Sequence, residues 1–215
     1  MSINKPYYLL LIPLVLAYFA ASGYGFFFQA AVPGSCAIIL LLLNRNQLRR
    51  ARDIWFVIAA FLFSIVGDWF LSNKGESFIM FSAGIGLFFL AHVGYLWFAL
   101  RNGRVHKLFT AVVVAGFLLF FYLKLLPAID DTVLLNAVLL YLLISCFSLG
   151  AAFGIRLSPV VRWTYFAGIT LILLSDTIIA LNEFVSCSAL NFLILPTYYA
   201  AHMSITFSLI KRSQI

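Results

Sequence analysis

Eight long apolar stretches, separated by short polar connections, dominate the pattern of this sequence. They are Tyr7–Ser22, Phe26–Leu43, Ile54–Ser72, Ser77–Leu100, Leu108–Leu126, Thr132–Ile155, Val161–Glu183 and Leu190–Ile210. A helix that crosses a hydrocarbon core of ~30 Å needs ~20 mostly apolar residues, so each stretch predicts a membrane-spanning helix. The runs are continuous and do not alternate with polar positions, which disfavours membrane strands. The break at Gly23-Tyr24-Gly25 is so short that it predicts a tight hairpin between the first two helices.

The composition indicates the same class of protein. Hydrophobic residues make up 64% of the chain and charged residues 10%, whereas a soluble domain carries about 25% charged residues. We therefore predict an all-α, polytopic membrane helix bundle with one integral membrane domain over residues 1–215. A soluble domain, a disordered chain and a disulfide scaffold are excluded. Cys36, Cys146 and Cys187 lie far apart, so we interpret them as packing residues and expect no metal site.

The basic residues sort to one side of the predicted bundle. Twelve of the 14 lysines and arginines lie at the chain ends or in the second, fourth and sixth connections, and the other side has Lys74 and Lys124. The twelve are Lys5, Arg45, Arg49, Arg50, Arg52, Arg101, Arg104, Lys107, Arg156, Arg162, Lys211 and Arg212. By the positive-inside rule, this predicts an even number of spans with both termini cytoplasmic. We expect the location to be a bacterial inner membrane. We therefore read the net charge of +7 as a topology signal and expect no nucleic-acid partner.

The first stretch has a second interpretation. Lys5, the apolar run and then Ala20-Ala21-Ser22 also resemble a cleaved signal peptide. The charge sorting predicts an even number of spans, and that count includes this first helix. We therefore favour a helix that is retained in the mature protein.

Two carboxylates fall inside predicted spans, where an ionisable group is energetically unfavourable and suggests function. Asp68 lies late in the third span, and Asp176 lies in the second half of the seventh. Both spans run outward in the predicted topology, so both aspartates lie at similar depth in the outer half of the membrane. One such residue could simply join helices through a hydrogen bond worth about 1 kcal/mol. Two at one depth favour a shared site.

A histidine follows each aspartate in the next span. His92 lies 24 residues after Asp68, and His202 lies 26 residues after Asp176. Tyr95 shares a helix face with His92, and Tyr198 and Tyr199 share one with His202. The pattern suggests two parallel four-span repeats, residues 1–107 and 108–215. Packing is the alternative interpretation of these histidines and tyrosines.

Paired carboxyls in a medium of low dielectric cannot both ionise easily, so they share a proton and can act as general acid and general base. Hydrolysis through an oxocarbenium ion, peptide hydrolysis and a proton relay all fit this chemistry. A small proton-coupled transporter that uses Asp68 and Asp176 as a relay is therefore an alternative to an enzyme. The chain has neither an HExxH motif nor a glycine-rich phosphate loop.

Four short motifs in order resemble the YhhN family, which includes the lysoplasmalogenases. They are Phe63-Ser64 with Gly67-Asp68 and Leu71, then His92 with Tyr95, then Ser175-Asp176 with Ala180 and Phe184, and then Thr197-Tyr198-Tyr199-Ala200-Ala201. Two positions depart from the family pattern. His202 replaces the usual glutamine, and Val32 precedes Pro33 where the family has lysine.

The resemblance implies hydrolysis of the vinyl ether bond of a lysoplasmalogen, which yields a fatty aldehyde and glycerophospho-ethanolamine or -choline. The implied partners are this lysophospholipid and the surrounding membrane lipids, with no cofactor. Asp68 and Asp176 would supply acid and base, and Ser64 and Ser175 would orient them. The implied residues for substrate or water are His92, Tyr95, Asn182, Tyr198, Tyr199 and His202.

Overall fold

The computed structural model describes residues 6–45, 52–75 and 77–214. This part of the chain contains eight α-helices in the predicted order. They are α1 (Leu11–Ala21), α2 (Phe26–Asn44), α3 (Ile54–Ser72), α4 (Phe78–Arg101), α5 (Lys107–Phe120), α6 (Thr132–Phe153), α7 (Pro159–Val185) and α8 (Ile194–Arg212). Lys5, Arg49 and Arg50, which contribute to the predicted charge sorting, lie outside the described residues.

Within the described ranges, seven helices are long and apolar enough to cross a membrane, and this supports an integral membrane protein. The exception is α1, which together with its leading 3₁₀ turn covers the 16 residues Pro6–Ala21. The predicted helical hairpin between α1 and α2 is present. Gly23 and Gly25 have φ angles of +83° and +94°, which glycine adopts without strain.

The fifth predicted span is less regular than the sequence suggested. The α-helical part ends at Phe120 and continues as a π turn over Phe121–Leu125 and a 3₁₀ turn over Leu126–Ala128. Pro127 lies in that final turn and has no backbone N–H to continue a helix.

The two chain ends lie together. The hydroxyl group of Tyr7 donates a hydrogen bond of 2.6 Å to Gln214 Oε1, and its ring lies 5.1 Å from that of Phe207. At the same end, Asp53 pairs with Arg212 at 2.7 Å and accepts a 2.7 Å hydrogen bond from Asn102 Nδ2. These contacts join the ends of α3, α4 and α8. We call this the basic end, and the end of the bundle with Lys74 is the opposite end.

Helices pack closely where glycines face them. A Cβ atom on Gly94 of α4 would lie 2.5 Å from the Phe56 carbonyl oxygen of α3, and one on Gly168 of α7 would lie 2.5 Å from Ile205 of α8. Small residues allow such close approach between membrane helices. Large apolar side chains such as Phe27, Ile79 and Val133 are instead more than 70% exposed, as lipid-facing residues would be.

Candidate active site

Asp176 of α7 is held by side chains from two other helices. The Tyr141 hydroxyl group of α6 donates a 2.6 Å hydrogen bond to Asp176 Oδ2. His92 Nε2 of α4 lies 3.2 Å from the same oxygen, within hydrogen-bonding distance. The His92 side chain is 1% exposed and that of Asp176 is 10% exposed. The carboxyl group is therefore fixed in orientation while one edge remains accessible.

Asp68 of α3 has a different tyrosine partner. The Tyr198 hydroxyl group of α8 donates a 2.8 Å hydrogen bond to Asp68 Oδ2. Ser64 is buried one turn earlier on α3. Behind Tyr198, His202 Nδ1 lies 2.8 Å from the Tyr198 carbonyl oxygen, and its ring packs 4.8 Å from Phe61.

The aspartate contacts cross between the two halves of the chain. His92, which follows Asp68 in sequence, contacts Asp176, and Tyr198, which follows Asp176, contacts Asp68. The matched Asp–His spacings therefore do not correspond to two equivalent Asp–His pairs, because His202 bonds within its own helix. A four-plus-four repeat stays a prediction. The two histidines on which it was based make different contacts, since His92 contacts an aspartate and His202 does not.

Phe88 and Tyr141 connect the surroundings of the two aspartates. Phe88, Tyr198 and Tyr199 form a buried cluster against which Tyr141 packs. Tyr141, which bonds Asp176, therefore packs against the same cluster as Tyr198, which bonds Asp68. Among the described residues no hydrogen bond joins the two carboxyl groups directly. The arrangement has two tyrosine-held carboxyls beside one aromatic cluster.

Asp176 lies in the wall of an apolar pocket between α4, α5, α6 and α7. The pocket has a cavity volume of about 80 Å³, and phenylalanines such as Phe81, Phe88, Phe117 and Phe120 line it. Its polar lining groups include Asp176, Tyr141 and Glu183. One water needs about 10–15 Å³ by this measure, so several waters or part of a hydrocarbon chain fit. Asp68 is not in the lining, but Leu71, one turn further along α3, is.

Ser175 and Asn182, two other predicted site residues, make hydrogen bonds that hold helices together. The Ser175 hydroxyl group donates to the Ile194 carbonyl oxygen at 3.2 Å and so joins α7 to α8. Asn182 Oδ1 accepts a 2.8 Å bond from Asn191 Nδ2, close to the start of α8. In neither case is the recorded bond directed at an aspartate.

Two buried tyrosine hydroxyls remain available near the aspartates. Tyr95 and Tyr199 are 1% and 2% exposed, and neither hydroxyl group has a hydrogen-bond partner within the described ranges. The Tyr95 ring lies 5.9 Å from that of His92, and the Tyr199 ring lies 5.9 Å from that of Tyr198. Neither tyrosine is in the lining of the pocket beside Asp176, so their contact with substrate or water stays a prediction.

Tyr141 is the site residue that sequence reasoning missed. It stands among leucines in the middle of the sixth span, and no charged residue within that span marks it. An ion pair was also missed, because its partners are 109 positions apart. Lys74 Nζ lies 2.8 Å from Glu183 Oε2, and each side chain is about a quarter exposed.

The comparisons with known proteins identify a family and no structural relative. The model of the YhhN family matches residues 26–209, a range that contains both aspartates, His92, Tyr141 and Tyr198. No solved structure matches the chain. Across residues 6–45, 52–75 and 77–214, no group of three or more His, Cys, Asp or Glu side chains is arranged to hold a metal ion.

Proposed function

The chain belongs to the YhhN family, and we propose that it is an intramembrane hydrolase that cleaves the vinyl ether bond of lysoplasmalogens. The observation that carries the proposal is the setting of Asp176. Its carboxyl group is fixed by Tyr141 and His92 and borders a pocket whose walls are mainly apolar. A lipid with one reactive polar bond beside a hydrocarbon chain suits such a pocket.

Vinyl ether hydrolysis needs an acid, a base and one water molecule. The acid transfers a proton to the β-carbon of the double bond, and the adjacent carbon and ether oxygen then share the positive charge of an oxocarbenium ion. Water adds to that carbon and loses a proton to the base, which gives a hemiacetal. The hemiacetal then loses its hydroxyl proton as the bond to the glycerol oxygen breaks and that oxygen is protonated. Fatty aldehyde and glycerophospho-alcohol are released, and the proton count is restored.

Asp68 and Asp176 supply the acid and the base of this scheme. The recorded bonds to each carboxyl group use Oδ2, which leaves Oδ1 for a proton, a water or the substrate. A carboxylate beside the oxocarbenium ion also stabilises its charge in a site of low dielectric. His92, Tyr141 and Tyr198 position the two carboxyl groups.

The test is aldehyde release from a lysoplasmalogen by the purified protein in detergent. We expect activity that persists in chelator and falls by about 1000-fold or more in Asp176→Asn and in Asp68→Asn, as for loss of a general acid or base. Asp130→Asn is the matched control, because Asp130 is an exposed aspartate outside the helices. Unchanged rates in both site variants would refute the paired-aspartate mechanism. Wild-type protein that releases no aldehyde but moves a solute across vesicles would favour the transporter.

A further inference from the structure

We propose that Lys74 and Glu183 form the binding site for a zwitterionic lipid head group, with the phosphate at Lys74 and the ammonium at Glu183. The inference rests on the proposed function, because it concerns the lipid whose ether bond lies at Asp176. We call the two residues the head-group pair.

The head-group pair lies at the same pocket as Asp176. Glu183 is one of the few polar residues in the lining of that pocket. Lys74 Nζ is 2.8 Å from Glu183 Oε2 and 5.2 Å from the centre of the Phe81 ring, which also lines the pocket. Both side chains are about a quarter exposed, whereas the Asp176 side chain is 10% exposed. The pocket therefore runs from a carboxyl group in the interior to a charged, accessible rim.

The spacing along α7 fits the lipid. Asp176 and Glu183 are seven residues apart on one helix face, so they are separated by about 10.5 Å along the axis. In a lysoplasmalogen, seven bonds connect the β-carbon of the vinyl ether to phosphorus, about 9 Å when extended. A molecule whose vinyl ether lies at Asp176 therefore places its phosphate at the level of the head-group pair.

The distribution of positive charge points to Lys74 as the phosphate ligand. Away from the basic end, the predicted topology has two basic residues, Lys74 and Lys124. Neither lysine is itself in the pocket lining, but Lys74 pairs with Glu183, which is, whereas Lys124 is exposed and has no ion pair within the described ranges. A phosphate at this pocket therefore has Lys74 as its cationic partner.

The ion pair matches both charges of the head group. A partly exposed ion pair contributes little to stability, so its partners can be exchanged readily. Phosphate can replace Glu183 as the partner of Lys74, while the lipid ammonium group replaces Lys74 as the partner of Glu183. The rings of Phe81 and Phe184, 5.8 Å apart, also border the pocket and can contact a quaternary ammonium group.

Kinetics with four alkenyl substrates test this assignment. The substrates carry phosphocholine, phosphoethanolamine, a bare phosphate or an unsubstituted glycerol. We expect Lys74→Met to raise KM about tenfold for the three phosphate-containing substrates, with kcat within about twofold and no change for alkenylglycerol. Glu183→Gln should raise KM for the two zwitterions but lower it for the bare phosphate, because a nearby negative charge has been removed. Equal effects of either variant on all four substrates would refute the assignment.

A binding measurement separates this inference from the proposed reaction. The probe is a saturated 1-O-alkyl-glycerophosphocholine, which lacks the vinyl bond, and intrinsic tryptophan fluorescence reports binding to protein in nanodiscs. We expect Lys74→Met to weaken binding about tenfold and Lys124→Met, the matched control, to leave it unchanged. If wild type and Lys74→Met bind equally, the head-group pair is refuted. If binding weakens as expected but wild type releases no aldehyde, the head-group pair stands and the hydrolase proposal fails.

Discussion

His92 and Asp176 are 84 positions apart in the chain, yet His92 Nε2 lies 3.2 Å from Asp176 Oδ2. Tyr198 and Asp68, 130 positions apart, are joined by a 2.8 Å hydrogen bond. Each aspartate is thus bound by a side chain from the other half of the sequence. The site therefore needs α3, α4, α6, α7 and α8 packed together, because its hydrogen bonds join side chains from all five helices.

The first prediction concerns the two histidines. His92→Gln should lower kcat/KM by about tenfold or more, because Asp176 loses a hydrogen-bond partner that fixes its orientation. His202→Gln should keep most of the activity, since its ring contacts Tyr198 and Phe61 rather than an aspartate. Aldehyde release by both variants, after size-exclusion chromatography confirms folded protein, is the measurement. Equal losses in the two variants would contradict the assignment of His92.

The second prediction concerns Tyr141. Tyr141→Phe removes the 2.6 Å hydrogen bond to Asp176 and retains the ring that packs against the Phe88 cluster. A hydrogen bond to a charged group contributes about 1.5–3 kcal/mol, so kcat/KM should fall by about 10- to 100-fold. Tyr122→Phe, at a tyrosine that is 66% exposed, is the control and should retain full activity. Full activity in Tyr141→Phe would remove this hydrogen bond from the mechanism.

Hydrophobic pattern predicted the helices well, because the thickness of the bilayer fixes the length of an apolar run. It did not predict the π turn over Phe121–Leu125, because that segment contains no glycine or proline and Lys124 is its one charged residue. Pro127 was the one local sign that regular helix ends there.

The site was only partly predictable from sequence. Asp68 and Asp176 were conspicuous because charges are scarce in this chain. His92 and Tyr198 were also expected at the site, but the aspartate that each one contacts was not, because an apolar helix carries no pattern that says which neighbour it packs against. Tyr141 in particular lies in a leucine-rich span with no neighbouring charge to mark it. Its hydroxyl group reaches Asp176 only because α6 packs beside α7.

The third prediction concerns stability at the contact between α3 and α4. Gly94→Ala would place its Cβ atom 2.5 Å from the Phe56 carbonyl oxygen, and backbone there cannot move without displacing α3. We expect a loss of about 1–3 kcal/mol in the free energy of unfolding. Gly86→Ala, on the same helix with no atom within 4 Å of its Cβ atom, should stabilise by up to about 1 kcal/mol.

Unfolding in detergent, followed by tryptophan fluorescence, measures both glycine variants. Their opposite signs are the informative result, since both changes add one methyl group to α4. A Gly94→Ala protein as stable as Gly86→Ala would show that α3 and α4 are not in close contact at this point.

The fourth prediction concerns the orientation of the bundle and uses the native cysteines. Cys187 follows the C-terminal end of α7 and is partly exposed, whereas Cys36 and Cys146 are buried inside helices. If the basic end faces the cytoplasm, Cys187 lies at the external surface, on the same side as Lys74. A membrane-impermeant maleimide should then label intact cells or right-side-out vesicles through Cys187, and Cys187→Ser should abolish that labelling.

In the Cys187→Ser background, Arg156→Cys at the basic end should react only after permeabilisation. Labelling of Arg156→Cys without permeabilisation, together with protection of Cys187, would invert the topology and place the rim of the pocket in the cytoplasmic leaflet.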